Sequence, residues 1–180
     1  MKETADRAGR DLARHKYYMK IAESVAEGAN CLGRSVGSII VRENRIVSTG
    51  YNGTPEGVKN CLDHGCPRCD PQTKASWGIT EGAYYDICLC VHAEENALIT
   101  AARFGSPVAD GAIYTTLQPC FICMRELLQA KILHAYFRDS WVHPKTKDWQ
   151  EIEAAYGRMR DVFKVFQQLP AEPAAGPATR

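Results

Sequence analysis

The stretches His92-Ala93-Glu94 and Pro119-Cys120-Phe121-Ile122-Cys123 decide how this sequence folds around a site. Each stands where a helix is predicted to begin. Because Cys120 and Cys123 are three residues apart, both thiols can face one point from the first helical turn, where the positive end of the helix dipole favours thiolate. One imidazole and two thiolates give zinc three ligands and leave a fourth position for water, which is the open geometry of a catalytic zinc. We predict that His92, Cys120 and Cys123 hold such an ion.

Glu94 follows the histidine by two residues and is the residue best placed to move protons. It is not needed as a ligand, but it can reach a water molecule at the metal, so we predict that it acts as the general acid and base. The alternative is that His92 is a core histidine and the two cysteines are buried or belong to a structural zinc knuckle. That alternative does not explain the order and spacing of the whole set.

Outward from these stretches, apolar periodicity predicts helices and strands in alternation. A hairpin is expected early in the chain because two β-branched runs are separated by Arg42, Glu43 and Asn44, which suit a tight connection. The predicted helices cover 12–28, 92–104, 119–130 and 151–169, and the predicted strands cover 36–41, 45–49, 111–116 and 132–137. This order argues for an α/β sandwich with parallel pairing among the later strands.

The length and composition suit one domain. The chain has 180 residues, of which 45% are apolar, enough for a substantial core. We expect a single domain over residues 1–169, with a Cys-rich insertion at about 58–90, where the periodicity disappears. Residues 170–180 are rich in Pro and Ala and are predicted to form a disordered tail.

Charge and hydropathy argue against several classes of partner. The net charge of +1, from 22 basic and 21 acidic residues, gives no broad cationic field of the kind that binds a phosphate backbone. No stretch approaches the roughly 20 apolar residues that span a bilayer, and the charged start is unlike a signal peptide. We expect a cytoplasmic protein without a membrane or nucleic acid partner, whose eight cysteines bind metal rather than form disulfides.

The paired motif is typical of zinc-dependent nucleobase deaminases, and the flanking residues resemble the deoxycytidylate (dCMP) deaminase family over about residues 12–140. The likeness is carried by residues 36–41, by Gly50-Tyr51-Asn52-Gly53-Thr54-Pro55, by Val91-His92-Ala93-Glu94-Glu95-Asn96-Ala97 and by residues 114–123. The resemblance implies a cytidine-deaminase-like three-layer α/β/α sandwich with a mixed central sheet of about five strands. It also implies zinc-dependent hydrolysis of dCMP to dUMP and ammonia, which feeds thymidylate metabolism.

The resemblance implies functions for further residues. Asn52 would lie in the substrate pocket and Tyr136 near the bound nucleotide. Arg103 would contact the substrate phosphate or take part in the response to end-product nucleotides, since a guanidinium matches two phosphate oxygens; Arg34 is a second phosphate candidate. The plain alternatives are a turn asparagine, a packed aromatic and a surface arginine. Lys131 stands where the family usually has Gly, a difference expected to be structural only. A homo-oligomer, commonly a hexamer, with activation by dCTP and inhibition by dTTP is implied as well.

Six cysteines remain after the catalytic pair, and four suffice for a structural zinc. We therefore predict a second, structural zinc in the insertion. Its predicted ligands are Cys61, Cys66, Cys69 and Cys88, with Cys31, His64 and Cys90 as substitutes. The alternative is a group of buried thiols that fill a small core.

Three other functions compete with this interpretation. A deaminase of another cytosine nucleotide or nucleoside, or of a base in nucleic acid, would share the metal motif, but the nucleic acid enzyme would need a basic or aromatic surface for the flanking nucleotides. A catalytically silent zinc-binding interaction module would be expected to have lost Glu94. A riboflavin-pathway or purine deaminase gives no reason for Gly50-Tyr51-Asn52-Gly53.

Overall fold

A five-stranded mixed sheet runs through the centre of the computed structural model, which describes residues 2–79, 87–141 and 149–170. The strands are β1 (Gly37–Arg42), β2 (Arg45–Tyr51), β3 (Ala112–Leu117), β4 (His134–Asp139) and β5 (Val165–Gln168). The helices are α1 (Lys2–Ala26), α2 (Pro71–Trp77), α3 (Ala93–Arg103), α4 (Phe121–Gln129) and α5 (Trp149–Arg160), and a short 3-10 helix covers Cys61–Asp63. The strand order is β2-β1-β3-β4-β5, with β1 antiparallel to both of its neighbours and β3, β4 and β5 parallel.

Helices cover both faces of the sheet, and the alternation of side chains along each strand explains why. On β1, Ile39 packs with residues of α1, whereas Ile40 packs with residues of α3, α4 and α5. Tyr114 of β3 faces the α1 side and its neighbour Ile113 faces the other side. Strands β1 and β3 are therefore apolar on both faces, and the predicted three-layer α/β/α sandwich is confirmed.

The hairpin predicted from the β-branched runs is present. Strands β1 and β2 are joined at Glu43 and Asn44, whose φ angles are 52° and 60°. Positive φ at both central residues is the type I′ geometry, whose twist matches that of the flanking strands. The turn thus fixes the register in which Arg42 pairs with Arg45.

The predicted last helix, 151–169, is wrong in its second half. Helix α5 ends at Arg160, and Val165–Gln168 form β5, parallel to β4. The N–H groups of Lys164 and Val165 both donate to the carbonyl oxygen of Leu133, at 2.8 and 3.1 Å. Val and Phe favour strands, and the open edge of β4 supplies the backbone partners that a helix would otherwise provide. The fifth strand of the sheet comes from this segment.

The two ends of the insertion are held together at the sheet. Gly53 and Val91 form an antiparallel bridge, with N–H to O distances of 3.2 and 2.9 Å. Between them, Asp70 begins α2 by accepting from the N–H of Thr73 at 2.7 Å. The predicted tail, residues 170–180, lies outside the described residues except for Pro170. Within the described ranges, no helix is long and apolar enough to cross a membrane.

Lys131 ends α4 in a left-handed conformation. Its φ is 60°, its N–H donates to the carbonyl oxygen of Leu128 at 3.0 Å, and the N–H of Ile132 donates to that of Leu127 at 2.9 Å. This pair of bonds is the Schellman motif, in which Gly is the favoured residue at the left-handed position. A lysine there carries a steric penalty from its Cβ atom.

We expect Lys131→Gly to raise the free energy of unfolding by about 0.5–1 kcal/mol. Relief of the left-handed penalty, about 1–2 kcal/mol, outweighs the larger backbone entropy that glycine loses on folding. Urea unfolding measures the change as a higher midpoint at constant slope. Lys131→Ala is the control, because it removes the charge and keeps Cβ. Equal stabilisation by both variants would contradict the steric explanation.

Candidate functional site

Helix α3 begins at the predicted histidine. His92 is the N-cap residue, with extended backbone angles of φ −71° and ψ 158°. Its N–H donates to Oε2 of Glu95 at 2.7 Å, which satisfies a backbone donor that helix geometry leaves open. The imidazole is therefore attached to a fixed backbone at the end of the helix, with Glu94 in the first turn.

Helix α4 begins in the same way at the predicted cysteine pair. Cys120 is its N-cap residue and Cys123 lies in its first turn. The carbonyl of Pro119 accepts a hydrogen bond from the hydroxyl of Tyr156 at 2.8 Å, so α5 secures the loop that leads from β3 into α4. Both cysteines thus reach one point from one short, anchored segment.

The three donors converge as the sequence predicts. His92 Nδ1 lies 3.3 Å from Cys123 Sγ and 3.4 Å from Cys120 Sγ, and the two sulfurs are 3.5 Å apart. Zinc bonds of about 2.3 Å to sulfur and about 2.0–2.1 Å to nitrogen would give tetrahedral edges of about 3.6–3.8 Å. Among the described residues, this donor group contains no fourth His, Cys, Asp or Glu. The donors therefore fit a zinc ion that keeps one position open.

The ionisation of the donors also suits a cation. The contact with Cys120 raises the pKa of His92 to about 9, and the hydrogen bond with Cys123 lowers the pKa of Cys120 to about 4. The same hydrogen bond raises the pKa of Cys123. The Cys120 sulfur is thus favoured as a thiolate, while His92 and Cys123 hold their protons more tightly. A metal ion would replace the protons, as metal binding to such ligands requires.

Glu94 is 4% exposed and lies beside these donors. Burial raises the pKa of its carboxyl to about 7, against the opposing charge of His92. A carboxyl with a pKa near neutral can both accept and return a proton, which general acid–base catalysis requires. The burial and pKa of Glu94 are compatible with a proton shuttle, and this role stays a prediction.

Strand β2 holds α3 in position. A Cβ atom on Gly50 would lie 2.3 Å from the carbonyl oxygen of Ala93 and from the backbone nitrogen of Ala97, so the helix packs directly on the strand backbone. The Ser48 hydroxyl donates to the carbonyl oxygen of Ala97 at 2.6 Å. The close packing of α3 on β2 therefore explains why the residue at position 50 is glycine, which the sequence motif alone did not explain.

Asn52 is buried next to this region, and its side chain holds a loop. Its Oδ1 accepts from the N–H of Val36 and its Nδ2 donates to the carbonyl oxygen of Arg34, both at 2.8 Å. The next residue, Gly53, pairs with Val91, which precedes His92. The loop before β1 is thereby tied to the start of α3.

Arg34 and Arg103, the two predicted phosphate contacts, lie in different places. Arg34 is exposed on the loop that Asn52 holds. Its charge helps to lower the pKa of Asp139, after the larger effect of the hydrogen bonds from Arg138. The carbonyl of Asp139 in turn accepts from the N–H of Gln118 at 2.8 Å, two residues before Cys120.

Arg103 ends α3, about 16 Å from His92 at 1.5 Å per residue. The prediction that Arg103 contacts the substrate phosphate is thus not supported within one chain, because the helix carries it away from the donors.

Tyr136 lies on the opposite face of the sheet from the donor helices. It packs in the α1 layer, stacked on Tyr114 with centroids 4.9 Å apart and 4.3 Å from the ring of His15. Its neighbour Ala135 is the residue of β4 that faces α3 and α4. The structure therefore places Tyr136 across the sheet from the donors, and its predicted position near the bound nucleotide stays a prediction.

The remaining six cysteines lie together as a second group, which we call the cysteine cluster: Cys31, Cys61, Cys66, Cys69, Cys88 and Cys90. It includes all four predicted ligands of a second zinc and also Cys31 and Cys90, which were expected only as substitutes. His64 is directed elsewhere, since its Nδ1 lies 2.6 Å from Oδ1 of Asp70 and its side chain is 61% exposed.

The α/β/α fold, with an open His-Cys-Cys donor set and a buried glutamate, defines a zinc-binding deaminase domain. The family model of the cytidine and deoxycytidylate deaminase zinc-binding region matches residues 12–138, and the chain belongs to that family. This confirms the resemblance seen in the sequence.

Relatives and solved structures agree with the family. The chain is 41% identical over 126 residues to the deoxycytidylate deaminase of Schizosaccharomyces pombe and 40% identical over 126 residues to that of Saccharomyces cerevisiae. Each match covers 69% of this chain and 37% of the relative, so the chain spans little more than a third of their length. The apo structure of dCMP deaminase from the cyanophage S-TIM5 has a TM-score of 0.59 at 24% identity and covers 86% of this chain and 95% of that one. That likeness concerns the fold.

Proposed function

We propose that residues 1–169 act as one deaminase domain that hydrolyses dCMP to dUMP and ammonia. This domain includes the insertion at about 58–90. The single observation that carries the proposal is the convergence of His92, Cys120 and Cys123 within 3.3–3.5 Å, beside the buried Glu94. The substrate is supported by the fungal relatives, both named deoxycytidylate deaminase, and by the cyanophage enzyme of the same fold, described in complex with dCMP and dUMP.

In this proposal, zinc is held by His92, Cys120 and Cys123, and when bound it lowers the pKa of a water molecule. Glu94 does the rest of the proton transfer. Its carboxylate takes one proton from the water whose oxygen adds to C4 of cytosine, and passes that proton to N3. It then takes the second proton of that water and passes it to the exocyclic amine, which leaves as ammonia when the C4–N bond breaks and the C4–O double bond forms. Water is consumed and uracil remains.

Other parts of the proposal concern the nucleotide and the assembly. Asn52 would line the substrate pocket while it holds the loop of Arg34, and Arg34 would contact the phosphate. The expected homo-oligomer, commonly a hexamer, is supported by Ile99 and Phe104, which are 50% and 76% exposed on and just after α3. Activation by dCTP and inhibition by dTTP belong to the same proposal, with Arg103 as a phosphate contact for such effectors. The cysteine cluster would hold structural zinc.

A substrate panel tests the reaction itself. We expect the zinc-loaded chain to release ammonia from dCMP, with loss of cytosine absorbance, and to leave cytidine, dCTP and a cytosine-containing oligonucleotide largely unchanged. Glu94→Gln should reduce turnover of dCMP by about 10²- to 10⁴-fold, as expected for loss of general acid–base catalysis, while zinc content stays the same because Glu94 is not a ligand. Activity only on the oligonucleotide would favour a nucleic acid deaminase, and no activity on any substrate would favour a silent zinc-binding module.

A comparison of two arginines tests the phosphate contact. We expect Arg34→Ala to reduce kcat/KM for dCMP by about 10- to 100-fold, the equivalent of one hydrogen bond to a charged group. The same variant should leave kcat/KM for deoxycytidine, which lacks the phosphate, within about twofold. Arg103→Ala, assayed without effector nucleotides, is the matched substitution and should change neither value. Equal losses on both substrates, or a larger loss in Arg103→Ala, would reject the assignment to Arg34.

A further inference from the structure

The cysteine cluster is assembled from three separate parts of the chain. Cys31 follows α1; Cys61, Cys66 and Cys69 lie in the first part of the insertion; and Cys88 and Cys90 lie at its end, just before His92. Cys61 and Cys66 are fully buried, and Cys69 and Cys90 are 8% and 6% exposed. Six thiols are thus concentrated in one small, largely solvent-excluded volume.

The sulfurs of this cluster form two overlapping groups of four. One group is Cys31, Cys61, Cys69 and Cys90, and the other is Cys66, Cys69, Cys88 and Cys90. Within each group all four Sγ atoms lie within 4.8 Å of one another. Cys69 and Cys90 belong to both groups, so six sulfurs provide two complete sets of four.

Distances across each group match a tetrahedral ion. Cys31 Sγ lies 3.8 Å from Cys69 Sγ, and Cys66 Sγ lies 3.9 Å from Cys88 Sγ. Four sulfurs at about 2.3 Å from a zinc ion would be about 3.8 Å apart. The first distance joins two sulfurs of the first group, and the second distance joins two sulfurs of the second group. Each group thus contains a sulfur pair with the spacing of a zinc site.

We propose that the cluster binds two zinc ions in a binuclear Zn₂Cys₆ arrangement, in which Cys69 and Cys90 bridge the ions and the other four cysteines are terminal ligands. One ion would take Cys31 and Cys61, and the other Cys66 and Cys88. A single ion would use four sulfurs and leave two thiols, one buried and one half-buried, without a metal.

Charge and hydrogen bonding agree with two ions. Six thiolates around two Zn²⁺ ions carry a net charge of −2, the same as four thiolates around one ion, so the second ion adds no charge to the buried volume. Backbone N–H groups of Leu32 and Gly33 point at the terminal sulfurs of Cys61 and Cys31, both at 3.4 Å. Such hydrogen bonds to ligand sulfurs stabilise thiolate in metal sites.

The proposed cluster would act as the staple of the insertion. It joins the loop after α1 to the insertion and to Cys90, two residues before His92. Metal binding supplies folding free energy where a segment has little apolar core of its own. The proposal is independent of the deaminase reaction, because a count of metal ions does not depend on turnover.

Native mass spectrometry of the full zinc-loaded chain tests the proposal. We expect three zinc ions per chain, one at the His92 site and two in the cluster, and two ions in Cys120→Ser. Two zinc ions in the wild-type chain would overturn the binuclear arrangement. Iron and sulfide in the cluster, or masses that show disulfides among the six cysteines, would overturn it as well.

Cadmium exchange separates bridging from terminal sulfurs. After substitution with ¹¹³Cd, we expect two resonances in the tetrathiolate range that couple to each other through the shared sulfurs. Cys69→Ser should alter both resonances, whereas Cys31→Ser should alter chiefly one. Should these variants not fold, the wild-type spectrum decides alone, since two uncoupled resonances or a single one would contradict shared ligands.

Discussion

The rest of the structure depends on one constraint, which is that the first turns of α3 and α4 must meet at a point. A nitrogen of His92 and the sulfurs of Cys120 and Cys123 lie within 3.5 Å of one another, and the backbone around them is arranged to keep that distance. Gly50 lets α3 lie directly on β2, and the hydroxyl of Tyr156 fixes the carbonyl before α4. Even β5 serves this constraint, because it extends the sheet on which α4 and α5 pack.

Burial gives Glu94 a pKa that suits proton transfer. Glu94 lies in the first turn of α3, two residues after His92, and its 4% exposure explains why the pKa of its carboxyl is raised to about 7. The loop before β1 approaches the same end of the sheet, held by the amide of Asn52. The proposed deamination of a small anionic substrate depends on these three features, which are a donor set that favours a cation, a carboxyl with a pKa near neutral and an exposed arginine on a fixed loop.

Short-range spacing in the sequence predicts which residues can act together, but the sequence does not predict which distant parts of the chain lie side by side. The spacing of Cys120 and Cys123 at a helix start predicted that both thiols reach one point, because residues three apart lie on the same face of a helix. Helix geometry alone separates Arg103 from the donors, since eleven residues of helix carry it about 16 Å from His92. The face of the sheet on which Tyr136 lies could not be predicted before the pairing of β4 was known, because either Ala135 or Tyr136 could point at α4. The two groups of the cysteine cluster required the fold itself, which brings Cys31 next to Cys69 across 38 residues of sequence. Strand β5 was missed because its four residues follow an amphipathic helix without a strong break.

The most direct test of the account is anomalous diffraction at the zinc absorption edge from crystals of the zinc-loaded chain. The account predicts an anomalous peak at bonding distance from His92 Nδ1, Cys120 Sγ and Cys123 Sγ. No fourth side chain should bind the ion, and the carboxylate of Glu94 should lie close to the ion without binding it. The absence of that peak, or a fourth side chain that closes the coordination sphere, would contradict a catalytic metal at the meeting point of α3 and α4.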